Sequence, residues 1–148
     1  MMKEEIKNEI TEKALLQFFL EVDSDFNPPL SERLNIEEYV KKIFSLATLF
    51  SEFSADGYLM GVVAIYLYDS SSENAFVPFV AVRTIDRGKG IAKRILSKAI
   101  DAARLKGKKK VGIATNNPIA LHLYENLGFK RIDGEYDDIR HPQLILDL

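Results

Sequence analysis

The chain contains no cysteine, and this absence removes several kinds of chemistry at once. Its 148 residues offer no disulfide, no thiol nucleophile and no thiolate metal ligand. Only two histidines are present, His122 and His141, and they are nineteen residues apart in the sequence. That separation is not a metal-ligand spacing. The sequence therefore predicts a protein without a bound metal.

Long apolar runs are also absent. No run approaches the ~20 residues that span a bilayer, and the charged segment from Met1 to Glu12 lacks the apolar core of a signal peptide. We therefore expect a cytoplasmic protein with no membrane partner. A length of 148 residues allows one domain, residues 1–148, with a substantial core and is too short for two. No repeat, low-complexity tract or linker divides it.

Positive charge is concentrated in a short part of the chain. The net charge is −2, yet residues 83–110 hold eleven Lys or Arg and two acids, a local balance of +9 that leaves −11 elsewhere. Such a block is either a solvated helix face or a site for an anion. It surrounds a glycine-containing turn, which favours a compact anionic ligand over nucleic acid. No aromatic residues interleave with the charges, as a single-stranded nucleic-acid surface requires.

Helices and strands are predicted along the whole chain. Helices are expected at residues 2–22 and, after an Asn35 cap, up to residue 46, with a break at the tandem prolines Pro28 and Pro29. Strands are expected at residues 49–53 and 58–68, joined by a turn at residues 55–57, and Gly61 marks a bulge or a crowded backbone. Later elements are a strand at 109–115, a helix from Pro118 to residue 127, and strands at 129–133 and 143–147.

A strand, a glycine turn and an amphipathic helix follow one another in the middle of the chain. Residues 75–82 are rich in Val and Phe and predict a buried strand. The helix begins directly after the turn, and its first N–H groups lack intrahelical partners while its dipole adds positive potential. This junction predicts a phosphate site. The apolar stripe of the helix contains Ile91, Ala92, Ile95, Leu96, Ala99, Ile100 and Ala103.

The spacing within the turn excludes two common phosphate motifs. A dinucleotide fingerprint needs glycine at the position of Lys93, and the P-loop pattern G-x-x-x-x-G-K-[ST] is absent. Arg87, Gly90 and Ala92 instead fit the pattern R-x-x-G-x-[GA]. Glycines at 88 and 90 let the backbone approach a ligand closely.

A second motif follows the next predicted strand. Residues 117–129 read N-P-I-A-L-H-L-Y-E-N-L-G-F and fit N-x-x-A-x-x-x-Y-x-x-x-G-F. In this order and context the two motifs resemble those of the GCN5-related N-acetyltransferase (GNAT) superfamily, with Thr84 where many relatives carry proline. The resemblance covers nearly the whole chain. It implies an α/β fold with a mixed, largely antiparallel central sheet flanked by about four helices.

The resemblance implies an enzyme, an N-acetyltransferase that moves the acetyl group of acetyl-CoA to an amine of a small molecule, with amino sugars and peptides among the alternatives. The pyrophosphate of the donor would occupy the turn, and its pantetheine arm would follow the backbone of the central strand. Asn117 would contact CoA, although an N-cap role ahead of Pro118 is equally open and compatible. The implied CoA-binding residues are Val80, Val82, Arg87, Gly88, Lys89, Gly90, Ile91, Ala92 and Asn117.

Acetyl transfer needs two proton movements. An alkylamine, with a pKa of about 10.4, must react without its extra proton, and the departing thiolate, whose thiol has a pKa of about 8.5, is best protonated. The resemblance implies Tyr124 as that acid, and aromatic packing is the alternative role. Many relatives carry a basic glutamate on the central strand, but residues 76–82 contain no carboxylate. The remaining candidates are Glu73, Glu135, Asp137 and Asp138, each equally an ordinary solvated acid.

Several alternatives stay open at this point. The missing strand carboxylate favours a rival hypothesis, a non-catalytic module that binds or senses acyl-CoA. His122 lies on a different side of the helix from Tyr124 and is interpreted as structural or exposed. A homodimer is an open oligomeric state. The acceptor site would be built from the first two helices, their proline loop and residues 135–142. Five residues either line the wall of that site or pack in the core: Phe26, Pro28, Pro29, Tyr66 and Tyr68.

Overall fold

A six-stranded sheet in the order β1-β2-β3-β4-β6-β5 organises the chain. The structure is a computed structural model and describes residues 10–68, 71–115, 117–132 and 143–148. Neighbouring strands are antiparallel except for β3 and β4, which are parallel. The predicted mixed, largely antiparallel sheet is therefore confirmed. The strands are β1 (Thr48–Phe53), β2 (Leu59–Tyr66), β3 (Asn74–Val82), β4 (Lys110–Ala114), β5 (Lys130–Arg131) and β6 (Gln143–Asp147).

Four helices of nine or more residues flank the sheet in the part of the chain that is described, as expected. They pack on both faces, with α1 and α3 on one side and α4 on the other. None of the described helices combines the length and apolar character needed to cross a membrane. The helices are α1 (Glu12–Val22), the single turn α2 (Leu30–Arg33), α3 (Ile36–Leu46), α4 (Ile91–Leu105) and α5 (Pro118–Asn126).

Side-chain caps fix where the first helices begin. The Asn35 Oδ1 accepts the N–H of Glu38 at 3.0 Å, so α3 begins at the predicted position. The Thr11 Oγ1 accepts the N–H of Ala14 at 3.1 Å, so α1 begins at residue 12. The prediction of a helix from residue 2 is therefore wrong for residues 10 and 11, and residues 2–9 lie outside the described part. A threonine that caps a helix cannot also belong to its interior.

Two hydrophobic clusters occupy the two faces of the sheet. The cluster under α1 and α3 contains Phe18, Phe19 and the β3 side chain Phe79, whose ring stacks on Phe19 at 4.0 Å. The cluster under α4 contains the predicted helix stripe, of which every member except the half-buried Ala92 is buried. Burial of each large side chain contributes about 1.5–3 kcal/mol. These clusters hold β3 at the centre of the molecule.

Strand β3 separates from β4 halfway along its length. The described pairing of the two strands covers residues 74–77 of β3 and ends at Val77 and Ile113. Opposite β2, the register shifts between Ala64 and Tyr66, which places one extra residue in β3 at Pro78. Proline has no N–H to donate, so it is tolerated where a ladder is interrupted. The second half of β3 thus pairs with β2 alone, and a cleft opens on its β4 side.

Candidate active site

Two adjoining cavities lie in the cleft beside the second half of β3. The cavity of about 350 Å³, here the turn cavity, includes Gly88, Gly90 and the first residues of α4. The cavity of about 370 Å³, here the loop cavity, includes Asp25 and Phe26 from the segment after α1. The two meet at six residues that line both: Val80, Ala81, Arg87, Asn117, Ala120 and Tyr124.

All but one of the predicted site residues line the turn cavity. Lys89 is the exception, because its Nζ lies 3.1 Å from the Asp86 carboxylate and pairs with it. The predicted set that the cavity brings together is Val80, Val82, Arg87, Gly88, Gly90, Ile91, Ala92, Asn117 and Tyr124.

The glycines of the turn have a conformation that other residues avoid. Gly88 and Gly90 have φ of 82° and 78°, and Gly90 is the N-cap of α4. No side chain caps this helix, so its first N–H groups are available to a ligand in the turn cavity. The dipole of a 15-residue helix adds positive potential at the same point. The junction therefore has the features of an anion site.

The backbone of β3 presents hydrogen-bonding groups to the cleft. The Arg83 N–H donates to the Met60 carbonyl at 2.9 Å, and in an antiparallel ladder every second residue then bonds to the partner strand. By that alternation Ala81 bonds to β2, whereas the N–H and C=O groups of Val80 and Val82 point away from it. The Val82 carbonyl accepts the Arg87 Nε at 3.2 Å. The N–H groups of Val80 and Val82 therefore face the cleft.

Acids from distant parts of the sequence pair with much of the basic block. The Arg87 Nη2 lies 3.0 Å from the Asp25 carboxylate, and the Arg94 Nε lies 2.8 Å from the Glu52 carboxylate. Arg104, Lys109 and Lys110 are paired as well. The local charge that the sequence predicts is thus largely compensated. The positive potential at the turn therefore comes from the backbone N–H groups and the helix dipole more than from free cations.

Asp86 is a buried carboxylate beneath the turn that the sequence analysis missed. It is 5% exposed and accepts hydrogen bonds from Arg83 Nε at 2.8 Å and Lys89 Nζ at 3.1 Å. Burial acts to raise its pKa, but the hydrogen bonds from Arg83 and Lys89 outweigh burial and hold the pKa below its usual range. Arg83 and Lys89 each lie three residues from Asp86 in the sequence, and this spacing was the signal that could have predicted the two ion pairs. Asp86 ties the end of β3 to the turn.

Tyr124 lies where the two cavities meet. Only 4% of the residue is exposed, and its ring contacts Phe129 with centroids 6.0 Å apart. Burial raises the pKa of its hydroxyl well above the ordinary value of 10.0. The group therefore keeps its proton at neutral pH. The Tyr124 side chain thus both packs on Phe129 and lines the two cavities.

Asn117 caps helix α5, as one of its two predicted roles requires. Its Oδ1 accepts the N–H groups of Ile119 at 2.9 Å and Ala120 at 3.2 Å. Pro118 occupies the first helical position, where its missing N–H costs nothing. The predicted N-cap is confirmed, and the same residue lines both cavities.

Of the predicted candidates for a general base, Glu73 is the one that the structure describes, and it does not lie at the cleft. Glu73 precedes β3 at the opposite end from the cavities, pairs with Lys109 at 3.2 Å and has a side chain that is 70% exposed. Glu135, Asp137 and Asp138 lie outside the described residues. His122 is exposed, in agreement with the prediction. The carboxylate that does line the loop cavity is Asp25.

Of the predicted acceptor wall, one residue lines the loop cavity. Phe26 does so, and its ring stacks on Phe79 at 5.6 Å. Tyr68 instead lies under the Lys106 ammonium, 4.9 Å from the ring centroid. Pro28, Pro29 and Tyr66 are not among the described residues of the cavity wall. Within the described ranges, no group of three or more His, Asp or Glu side chains is placed to hold a metal ion.

The chain was compared with known proteins. Residues 12–129 match the family model described as "Acetyltransferase (GNAT) family". Similar solved structures include a GNAT family acetyltransferase from Elizabethkingia anophelis with acetyl-CoA bound, with a TM-score of 0.62 and 21% identity over 75% of this chain and 82% of that one. A Bacillus subtilis acetyltransferase in complex with CoA gives 0.61 and 21% over 75% and 83%. A Kribbella flavida GCN5-related N-acetyltransferase gives 0.70 and 21% over 93% and 92%. No curated protein matches the chain significantly.

Proposed function

Because the chain belongs to the GNAT acetyltransferase family and is thus an acyltransferase, we propose that it transfers an acetyl group from acetyl-CoA to the amine of a small-molecule acceptor. The single observation that carries the proposal is the junction of β3, the glycine turn and the uncapped start of α4. It supplies N–H groups and a helix dipole at one end of a cleft that a separated strand opens. Two similar folds hold acetyl-CoA or CoA.

The turn cavity takes the donor. N–H groups of the turn and of the first residues of α4 bind the pyrophosphate, which a helix N-terminus favours. The N–H groups of Val80 and Val82 face the cleft and bind the pantetheine arm, which places the thioester near Tyr124. A strand N–H also polarises the thioester carbonyl as negative charge develops on its oxygen.

The loop cavity takes the acceptor. A neutral amine attacks the thioester carbon, the C–S bond breaks, and the CoA thiolate leaves. Tyr124 lies between the cavities, protonates the thiolate and regains its proton from solvent. The nitrogen gains a positive charge as it attacks and then loses its extra proton to solvent.

A thiol-release assay across a panel of amines, amino sugars and peptides tests the proposal. We expect acetyl-CoA to bind in isothermal titration and at least one amine class to release CoA. A protein that binds acetyl-CoA but releases no thiol with any acceptor would instead be the non-catalytic acyl-CoA module, which the lack of a carboxylate on β3 favours. Failure to bind acetyl-CoA at all would contradict both functions.

A further inference from the structure

Asp25 places a carboxylate in the wall of the loop cavity. Its Oδ2 accepts the Arg87 Nη2 at 3.0 Å and the Thr84 Oγ1 at 3.4 Å, and its side chain is 27% exposed. Both of these contacts use the same oxygen. Within the described residues, no hydrogen bond to Oδ1 is found. In that part of the chain, Arg87 and Thr84 therefore hold one carboxylate oxygen, while the other accepts no hydrogen bond.

The rest of the loop cavity wall is mixed, with the polar residues Asn27, Arg87, Thr115 and Asn117 beside apolar ones. Among the described residues of its wall, Asp25 is the acidic one, and the apolar side chains come from the Phe26 segment, from β3 and from β4. The Phe26 ring stacks on Phe79, with the ring centroids 5.6 Å apart. A carboxylate beside apolar side chains is complementary to an ammonium group on a methylene chain.

Arg87 links the carboxylate to the donor side. Its guanidinium lines both cavities and compensates the charge of Asp25 in this structure. A bound pyrophosphate attracts the same guanidinium. The charge of Asp25 is then less compensated, so a cation in the loop cavity binds best when CoA occupies the turn cavity.

The amine that Asp25 holds is not the amine that reacts. A neighbouring carboxylate favours the charged form of an ammonium group, and a charged nitrogen has no lone pair with which to attack. An acceptor held in this way needs a second nitrogen, which is neutral when it reaches the thioester. We propose that Asp25 binds a cationic group of the acceptor other than the acetylated amine, an inference that rests on the proposed function. The acceptor class is then an aliphatic diamine or a longer polyamine.

Two amines of equal chain length test the proposal. Acetylation of 1,5-diaminopentane and pentylamine is measured by thiol release on the full chain. The wild type should favour the diamine by about tenfold or more in kcat/KM, as expected of one charge-assisted hydrogen bond. Asp25→Asn should remove that preference, because it lowers kcat/KM for the diamine more than for pentylamine. Asp25→Glu keeps the charge and should retain part of the preference.

Glu73→Gln is the matched control, because it removes the same charge at a carboxylate that lines neither cavity. It should leave the preference unchanged. Equal losses for both amines in Asp25→Asn, or no diamine preference in the wild type, would overturn the proposal.

A binding measurement separates this proposal from the proposed function. Titration of 1,5-diaminopentane into CoA-saturated protein should show binding to the wild type and weaker binding, by about tenfold, to Asp25→Asn. That result with no turnover of either amine would support the Asp25 site and contradict the acetyltransferase. Equal binding by both proteins would contradict the Asp25 site whatever the turnover.

Discussion

Single residues in the cleft combine a structural contact with a position suited to chemistry. Tyr124 packs on Phe129 and lies between the cavities, and Asn117 caps α5 while lining both of them. Asp86 is almost fully buried because two cations satisfy it. For Tyr124, a substitution that removes one oxygen and keeps the ring packing separates the effect on fold stability from the effect on function.

Tyr124→Phe removes the hydroxyl and keeps the ring. If this hydroxyl protonates the thiolate, turnover should fall by about 10²-fold or more. Acetyl-CoA affinity should stay close to wild type, and the free energy of unfolding should change by about 1 kcal/mol or less. Titration, thermal melting and thiol release on the same variant measure the three quantities.

Tyr39→Phe is the control for this substitution. Burial, followed by the neighbouring Tyr66, raises the pKa of Tyr39 to about 12, but the residue packs in the cluster under α1 and α3 and lines neither cavity. Removal of the Tyr39 hydroxyl should leave turnover unchanged. Unchanged turnover in Tyr124→Phe, with the chemical step rate-limiting, would contradict the catalytic role.

At the scale of elements, the turn and helix α4 act as one unit. Gly61 of β2 lets the start of this helix approach the sheet, because a Cβ there would lie 2.9 Å from the Ile91 Cγ2 and 3.1 Å from the Val82 Cγ2. Both predicted meanings of Gly61 are confirmed, because the backbone is crowded there and the register against β1 shifts directly beside it, between Glu52 and Phe53. Close packing below the helix thus sets the position of the N–H groups above it.

Gly90→Val should weaken acetyl-CoA binding by about tenfold or more, because the turn then loses the φ that directs its N–H groups to the cavity. Lys89→Ala should weaken binding less than about fivefold, since Lys89 pairs with Asp86 and lies outside the cavity wall. Isothermal titration compares the two.

Gly107→Val tests whether backbone strain alone accounts for the effect. Gly107 has φ of 76° at the other end of α4, and a Cβ there meets nothing within 4 Å. This variant should lose stability but keep its acetyl-CoA affinity. Equal weakening by Gly90→Val and Lys89→Ala in folded protein would contradict the role of the turn backbone.

Gly61→Ala should destabilise the protein by about 1–3 kcal/mol, because the added methyl group overpacks two β-branched side chains. Gly112→Ala is the matched change in β4, where the nearest atom to an added Cβ is the Phe76 Cδ1 at 3.4 Å, an ordinary contact. It should be neutral or slightly stabilising. Urea unfolding measures both variants, and equal losses would show that crowding at Gly61 is unimportant.

At the scale of the whole molecule, contacts between distant parts of the sequence decide what the sequence could not predict. The turn, the helix stripe, the Asn35 cap and the hairpin at residues 55–57 are local patterns and appear where they were expected. Asp25 and Arg87 are 62 residues apart, and Glu52 and Arg94 are 42 apart, so spacing gave no signal for either pair. The extra residue at Pro78 likewise depends on registers that only the assembled sheet defines.

The Glu52–Arg94 pair connects β1 with α4 and should make stability depend on pH. Hydrogen bonds from Arg94 hold the pKa of Glu52 below its ordinary value of 4.5. The native protein therefore keeps this group ionised to lower pH than the unfolded chain does, and the pair contributes stability above that value. The contribution is lost as the pH falls through the native pKa.

Melting temperatures from pH 7 down to about 3 check this expectation. Wild type should lose more stability on acidification than Glu52→Gln. Arg94→Gln removes the other partner and should flatten the curve to a similar degree. Three parallel curves would show that the pair contributes nothing to the pH dependence.

The separation of β3 from β4 also divides the sheet into two leaves of three strands, joined in their described pairing only along residues 74–77. The glycine turn and α4 pack on the first leaf, and Asn117 and Tyr124 follow β4 in the second. The cleft is therefore the boundary between the two leaves. A ligand bound along the cleft contacts both leaves and holds them together. The geometry that admits a ligand therefore also lets that ligand stabilise the fold.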